Sequence, residues 1–329
     1  MAERRRSMRP FFIVCTPRSG STLLHGMLSR HPDVAMPPET HFMALTWRRR
    51  DVLGDIATDE GWARARAAVL MSIRKREFDI TEAELDEAIA DIPRTYASLL
   101  RAWLGLVAHK EGCGLVGEKT PNHMEHVVEL LAMFPGACAL HITRDPRDVV
   151  AGNWDVWKTP PVQTALRWRR DQLRWREYAR LLAPDRLCAV RYEDLVTEPR
   201  ATLAPVCETL GIGFREEMLD PGGRRRSGIA SDAAHQRRTL RPISRSRIGR
   251  YKQRLNPGQI AATEAVCAEL MDEAGYQPEF ESPARRAAAL AARIGPTVVA
   301  WGLRRQSQQR RISRRIEAAE QERPDRTLS

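Results

Sequence analysis

Phe11-Phe12-Ile13-Val14-Cys15-Thr16-Pro17-Arg18-Ser19-Gly20-Ser21-Thr22-Leu23-Leu24 reads as a short apolar strand, a tight polar turn and the start of a helix. That order aims free backbone N–H groups and a helix N-terminus at one point, where a phosphate is favoured. The turn spans Pro17 to Gly20. Arg18 adds a fixed positive charge, Ser19, Ser21 and Thr22 add hydroxyls, and Gly20 lets the backbone close around an anion. An ordinary strand-to-helix turn with a Ser/Thr cap is the alternative. The loop is not a Walker A, because that motif places a glycine where this chain has Cys15 and a lysine where it has Ser21.

Outward from this stretch, a helix is expected over 22–30, stopped by His31-Pro32. Residues 51–110 are charged and Ala/Leu-rich, with helical spacing at Leu85, Ile89 and Ile92 and again at Leu99, Trp103 and Leu106. They predict two or three helices and no strand. Further strands are expected at 115–118, 138–143 and 187–192, and further helices at 122–133, 146–157, 164–182, 199–210 and 257–274. Strands alternating with helices predict an α/β fold. It is a P-loop-like parallel sheet flanked by helices on both faces, with a helical insertion after the first strand-helix unit. Such sheets bind ligands outside the carboxyl ends of their strands. Arg18, Lys119, Arg144 and Glu193 all fall there.

A chain of 329 residues can bury a large core, and 43% hydrophobic residues argues against disorder. No apolar run approaches the roughly 20 residues that span a bilayer. The basic start is followed by only five apolar residues, 11–15, short of the about 7–15 of a signal peptide. A cytoplasmic protein is expected. The six cysteines form no C-x-x-C pair, which predicts buried free thiols in a reducing compartment. The eight histidines offer no H-E-x-x-H, so no metal is expected. His123 and His126 read as a helix surface.

The loop resembles the 5′-phosphosulfate-binding loop of sulfotransferases that use 3′-phosphoadenosine 5′-phosphosulfate (PAPS). The resemblance continues through Arg30-His31-Pro32-Asp33-Val34, Pro38-Glu39-Thr40 and Gly117-Glu118-Lys119-Thr120-Pro121. It extends to Thr143-Arg144-Asp145-Pro146-Arg147-Asp148-Val149-Val150, Arg191-Tyr192-Glu193-Asp194-Leu195 and Ile248-Gly249-Arg250-Tyr251-Lys252. These stretches, in family order from residue 11 to about 276, are similar to the tyrosylprotein-sulfotransferase branch and its bacterial relatives. The resemblance implies a sulfotransferase domain over 8–280, with 51–110 as an acceptor-side cover, and a basic amphipathic tail over 281–329.

It also implies roles. Arg18 and the loop from Pro17 through Ser19, Gly20, Ser21 and Thr22 would hold the 5′-phosphosulfate, and Lys119 the bridging oxygen or leaving phosphate. Glu39 lies 21 residues after Arg18, the interval at which that branch places its catalytic glutamate. It is the candidate general base, provided burial raises its pKa. His41 is the rival base and is read as facing the substrate. Arg144 would meet the 3′-phosphate, with Tyr192 nearby. The family's serine eight residues later is here Gly152, followed by Asn153; a backbone N–H of Gly152 or the Asn153 amide is the candidate replacement. Sulfuryl transfer needs positive charge rather than a metal, so PAPS is the expected co-substrate and no metal is required.

The net charge of +11 is concentrated in two segments. Residues 224–254 carry +10 and 284–316 carry +9, leaving the remainder at −8. In the first, Arg241, Ser246, Gly249 and Arg250 resemble the late basic loop that folds over the nucleotide. No zinc finger, helix-turn-helix or aromatic interleaving accompanies it, so no nucleic acid is expected. The second predicts either peripheral contact with an anionic membrane or a solvated tail. The expected reaction is in-line sulfuryl transfer to a small-molecule, glycan, lipid or peptide hydroxyl. Two alternatives stay open: a nucleotide-dependent kinase-type P-loop transferase, and a non-enzymatic anionic-nucleotide or membrane-surface binding protein.

Overall fold

The structure is a computed structural model and describes residues 8–75, 78–220 and 243–280. Arg241 and the tail over 281–329 lie outside the described residues. The chain begins with β1 (Arg9–Val14), α1 (Ser21–Leu28), β2 (Val34–Ala35) and α2 (Phe42–Leu45). Four helices follow: α3 (Arg50–Leu53), α4 (Asp59–Lys75), α5 (Glu82–Ile89) and α6 (Tyr96–Glu111). Then come β3 (Leu115–Lys119), α7 (Val127–Met133), β4 (Cys138–Thr143), α8 (Pro146–Trp157) and α9 (Pro161–Leu181). The described elements close with β5 (Leu187–Arg191), α10 (Tyr192–Thr197), α11 (Pro199–Leu210) and α12 (Pro257–Glu273).

The strands form one sheet in the order β2-β3-β1-β4-β5, and every pairing is parallel. β1 is central because both its faces are apolar. Phe12 and Val14 enter one core with Leu85, Ile89, Leu99 and Trp103 of the insertion. Phe11, Ile13 and Cys15 enter another, with Leu24 and Leu28 of α1 and Leu203 and Val206 of α11. A third cluster joins α8, α9 and α12 through Val149, Val150, Trp168 and Val266.

Two expectations need correction. A fifth strand, β2, stands before the insertion; with two residues paired only to β3 it is too short to show periodicity. The helix expected over 122–133 is a 3₁₀ turn, Pro121–Glu125, followed by α7. Among its described residues the insertion holds the helices α3 to α6, joined by turns, and no strand. The chain leaves β1 towards β3 on one side and later towards β4 on the other, so the order reverses at the carboxyl end of β1. That crevice is where open α/β sheets bind ligands.

Candidate active site

The turn after β1 is held from three sides. Gly20 has φ +101°, and a Cβ there would stand 2.3 Å from a ring carbon of Tyr192. Only glycine lets the backbone turn against that ring. Ser21 and Thr22 open α1, whose first turn contains no acid to compete with an anion. Ser19 Oγ donates to the Thr16 carbonyl at 2.7 Å and closes the turn on itself. Thr16 in turn donates to Asp171 Oδ2 of α9 at 3.0 Å. Burial pushes the Asp171 carboxyl up in pKa, opposed by the charges of Arg170, Arg167 and Arg174. Burial likewise takes the Cys15 thiol to about 12, so it is inert, and all six cysteines are buried and free.

Helix α8 supplies the third side. Arg18, in the left-handed region at φ 77°, lays its stem on Gly152, where a Cβ would sit 3.1 Å from Arg18 Cβ. Its guanidinium lies 5.9 Å from the Trp157 ring centre. The absent serine side chain is thus the space that Arg18 uses. Asn153 Nδ2 donates to the Pro17 carbonyl at 3.0 Å and to Val149 at 2.8 Å. In this structure Asn153 ties the turn to the helix.

Beside the turn stands the group of Glu39, His41 and Lys119. Lys119, 5% exposed at the end of β3, forms an ion pair with Glu39 Oε1. His41 Nε2 lies 3.1 Å from Glu39 Oε2. Burial favours the neutral form of Glu39, but the Lys119 charge and hydrogen bonds from His41 and Lys119 outweigh it. The carboxyl is held far below the usual carboxylate range, opposite to the expected direction. His41 has φ 52°, a backbone conformation costly for a non-glycine residue and concentrated at functional sites.

Behind this group, Glu118 is wholly buried. Its Oε1 accepts from Thr40 N at 3.1 Å, Thr40 Oγ1 at 2.8 Å and Thr120 Oγ1 at 2.6 Å. Its Oε2 lies 2.7 Å from His123 Nδ1. Burial opposes its charge, but His123 and the two hydroxyls hold the carboxyl down at about 2. His123 is 1% exposed and His126 9%. The expectation of a helix surface was wrong, because Glu118 draws His123 inward. Ser72 of α4 donates to the Thr40 carbonyl at 2.8 Å, so the insertion touches the segment that holds Glu39.

Across β1, Arg144 lies 4.3 Å over the Tyr192 ring and 3.1 Å from Asp148 Oδ2. It also donates to the Arg247 carbonyl. Asp148, pushed up in pKa by burial against the Arg144 charge, accepts from Gly249 N and Tyr251 N at 2.9 Å each. The late basic loop is therefore docked on α8, bringing residues 100 apart in sequence together. Arg250 pairs with Asp155 at 3.0 Å, and exposed Ser246 takes a hydrogen bond from Ser244. Arg147, by contrast, is locked to Asp145 and Glu264, each at 2.7 Å, away from the crevice. Glu193 accepts from Asp145 N at 3.0 Å and Tyr276 Oη at 2.9 Å.

Arg18, Glu39, His41, Lys119, Arg144, Tyr192 and Gly249 therefore gather around the carboxyl ends of β1, β3 and β4. Glu118, Asp148 and Asp171, which organise the crevice, carry no role in the sequence reading. A charged residue inside a strand, an acid in the first turn of α8 and an acid in the middle of α9 were the available signals. Among the described residues no group of His, Cys, Asp and Glu could hold a metal ion. No helix among them is long and apolar enough to cross a membrane.

A parallel sheet with a phosphate-type turn and cations at its switch point is the arrangement with which α/β folds bind anionic ligands. The model of the sulfotransferase family matches residues 10–216, and this chain belongs to that family of enzymes. Protein-tyrosine sulfotransferase of Drosophila melanogaster is 24% identical over 293 residues, 84% of this chain and 54% of that protein. Protein-tyrosine sulfotransferase 2 of Gallus gallus is 25% identical over 293 residues, 84% of this chain and 72% of that one. The chain thus spans about half the length of the fly protein. Among solved structures, the sulfotransferase domain of the Synechococcus PCC 7002 olefin synthase has the same fold. The TM-score is 0.60 at 24% identity, over 82% of this chain and 96% of that domain. The sulfotransferase domain from the curacin biosynthetic pathway gives 0.56 at 22% identity, over 82% and 98%.

Proposed function

We propose that the protein transfers the sulfuryl group of PAPS to an acceptor hydroxyl, with Glu39 as general base. The observation that supports this most is Glu39 itself, a carboxylate held between Lys119 and His41 beside a phosphate-type turn. Lys119 and the turn offer charge and N–H groups to a phosphosulfate, while Glu39 offers an ionised oxygen to a proton.

Paired with Lys119, Glu39 is a weak base. When Lys119 turns to the bridging oxygen of a bound donor, the largest remaining influence on Glu39 is burial, and its basicity rises. The acceptor oxygen then attacks sulfur, its proton passes to Glu39, and the sulfur–oxygen bond to the phosphate breaks. The charge left on that phosphate falls on Lys119 and the loop N–H groups, with Arg18 on the sulfuryl oxygens. Arg144, Tyr192 and the loop carrying Ser246, Gly249 and Arg250 enclose the 3′-phosphate end, where Gly152, inside α8, supplies no hydroxyl. No metal enters this scheme. Helices 51–110 form the acceptor side.

The test is calorimetry with 3′-phosphoadenosine 5′-phosphate (PAP), without magnesium, alongside ATP. Micromolar PAP binding and much weaker ATP binding are expected. Glu39→Gln should keep PAP affinity and abolish turnover. A preference for magnesium-ATP would replace the reading with a kinase-type transferase.

A further inference from the structure

Four consecutive backbone N–H groups, those of residues 40 to 43, lead to one carboxylate. Thr40 N–H reaches Glu118 directly at 3.1 Å. His41 N–H goes to Thr120 Oγ1 at 3.2 Å, and that hydroxyl donates to Glu118 at 2.6 Å. Phe42 N–H goes to Thr40 Oγ1 at 3.1 Å, which donates to Glu118 at 2.8 Å. Met43 N–H goes to His123 Nε2 at 3.3 Å, and the opposite ring nitrogen lies 2.7 Å from Glu118 Oε2.

The directions are fixed. Each threonine hydroxyl has one proton; having accepted from the backbone, it gives that proton to Glu118. The His123 ring accepts at Nε2, which leaves its proton to Nδ1, close to Glu118 Oε2 but not aligned with it as a hydrogen bond. Glu118 therefore meets donors only, and an ionised carboxylate is the one side chain of this size that offers acceptors alone. These N–H groups include those at the start of α2, which no intrahelical carbonyl satisfies. The segment they fix carries Glu39 on one side of Thr40 and His41 on the other, while Lys119 follows Glu118 directly.

We propose that Glu118 is the positioning residue of the reaction. Through Thr40, Thr120 and His123 it fixes the segment bearing Glu39 and His41 against Lys119, so that base and cation face one reacting centre. This rests on the reading of Glu39 as base, but its geometric part can be tested apart from it.

The experiment is hydrogen–deuterium exchange on the full chain over the peptide containing residues 40–43, joined to PAP calorimetry and to turnover of PAPS with 4-nitrophenol and a tyrosine peptide as probe acceptors. Glu118→Gln replaces one acceptor with an NH₂, which then faces either the three donors on Oε1 or His123 Nδ1. Exchange in this peptide should rise at least tenfold with the rest of the sheet unchanged. The Kd for PAP should stay within about threefold, and kcat should fall on the order of 100-fold, the cost of a misplacement near 1 Å. Thr120→Val should act in the same direction, and Thr120→Ser should restore exchange and kcat; this pair decides the matter if Glu118→Gln does not fold. Unchanged exchange at residues 40–43 in Glu118→Gln, or in Thr120→Val, overturns the proposal. Glu39→Gln should leave exchange as in the wild type. If it also leaves turnover intact, the base reading fails while the positioning of the segment stands.

Discussion

Lys119 ends and Arg144 follows one of the two strands that flank β1, yet they keep different company. The carboxylate facing Lys119 belongs to Glu39, a quarter exposed and on a loop. The carboxylate facing Arg144 belongs to Asp148, fully buried and occupied by two backbone N–H groups. The first pair can exchange partners when an anion arrives. The second is part of the frame. One end of the crevice is thus built for a change in charge pairing, and the other for holding still.

The sharpest way to break this contrast is to remove each cation. Arg144→Ala strands a buried acid and removes the donor to the Arg247 carbonyl, so a loss of about 3–5 kcal/mol in urea unfolding is expected. Lys119→Met should cost less than Arg144→Ala in the same measurement, because Glu39 is a quarter exposed and can take up a proton or water. Its effect should appear in kcat, at about 10²–10³-fold. Equal losses of stability would erase the distinction.

Acid separates the two ends in sign. Glu118 titrates lower in the folded chain, at about 2 against an ordinary 4.5. Its contribution is therefore complete above about 4.5 and lost as pH falls towards 2. Asp148 is raised by burial, so its protonation favours the folded chain. The stability advantage of wild type over Glu118→Gln should shrink below pH 4.5, whereas the difference from Asp148→Asn should shift towards wild type. Thermal unfolding from pH 2 to 7 gives both slopes, and parallel slopes would count against the assignment.

The smallest effect is expected at Gly152. Gly152→Ser places a Cβ 3.1 Å from Arg18 Cβ and restores the family hydroxyl. The crowding and the new hydrogen bond oppose each other, and PAP affinity should move by less than about threefold. A tenfold gain would show that the nucleotide end lacks a contact it can use.

Much of this was legible because strand, turn and helix at 11–24 are local, and because the two faces of β1 read as one apolar run. Arg18, Lys119 and Arg144 sit where a parallel sheet exposes its loop ends, so their convergence follows from topology. What stayed hidden depends on pairing across the chain. Thr16 meets Asp171 from 155 residues away, and Thr40 meets Glu118 from 78. No periodicity marks such partners. The depressed pKa of Glu39 was missed for the same reason: burial alone points upward, and only the placement of Lys119 reverses it. The role of Arg144 was carried by resemblance; that Arg147, three residues on, is held by Asp145 and Glu264 could not be read from the sequence.

The register of the sheet has a consequence for how the chain assembles. Arg9 pairs with Leu115 and Phe11 with Cys138, so the central strand has no neighbour near it in sequence. Closing such contacts is slow, because chain entropy is lost before the pairing rewards it. The helices between, with their own cap at Thr81 and Glu84, can form from local contacts while β1 waits. Yet doubling the length of a closed loop costs only about 0.6 kcal/mol. The stretch between β2 and β3 can thus grow, shrink or diverge at little thermodynamic penalty, leaving the chemistry at the strand ends where it is. A fold wired this way lets the proposed acceptor side vary faster than the charged groups at the strand ends.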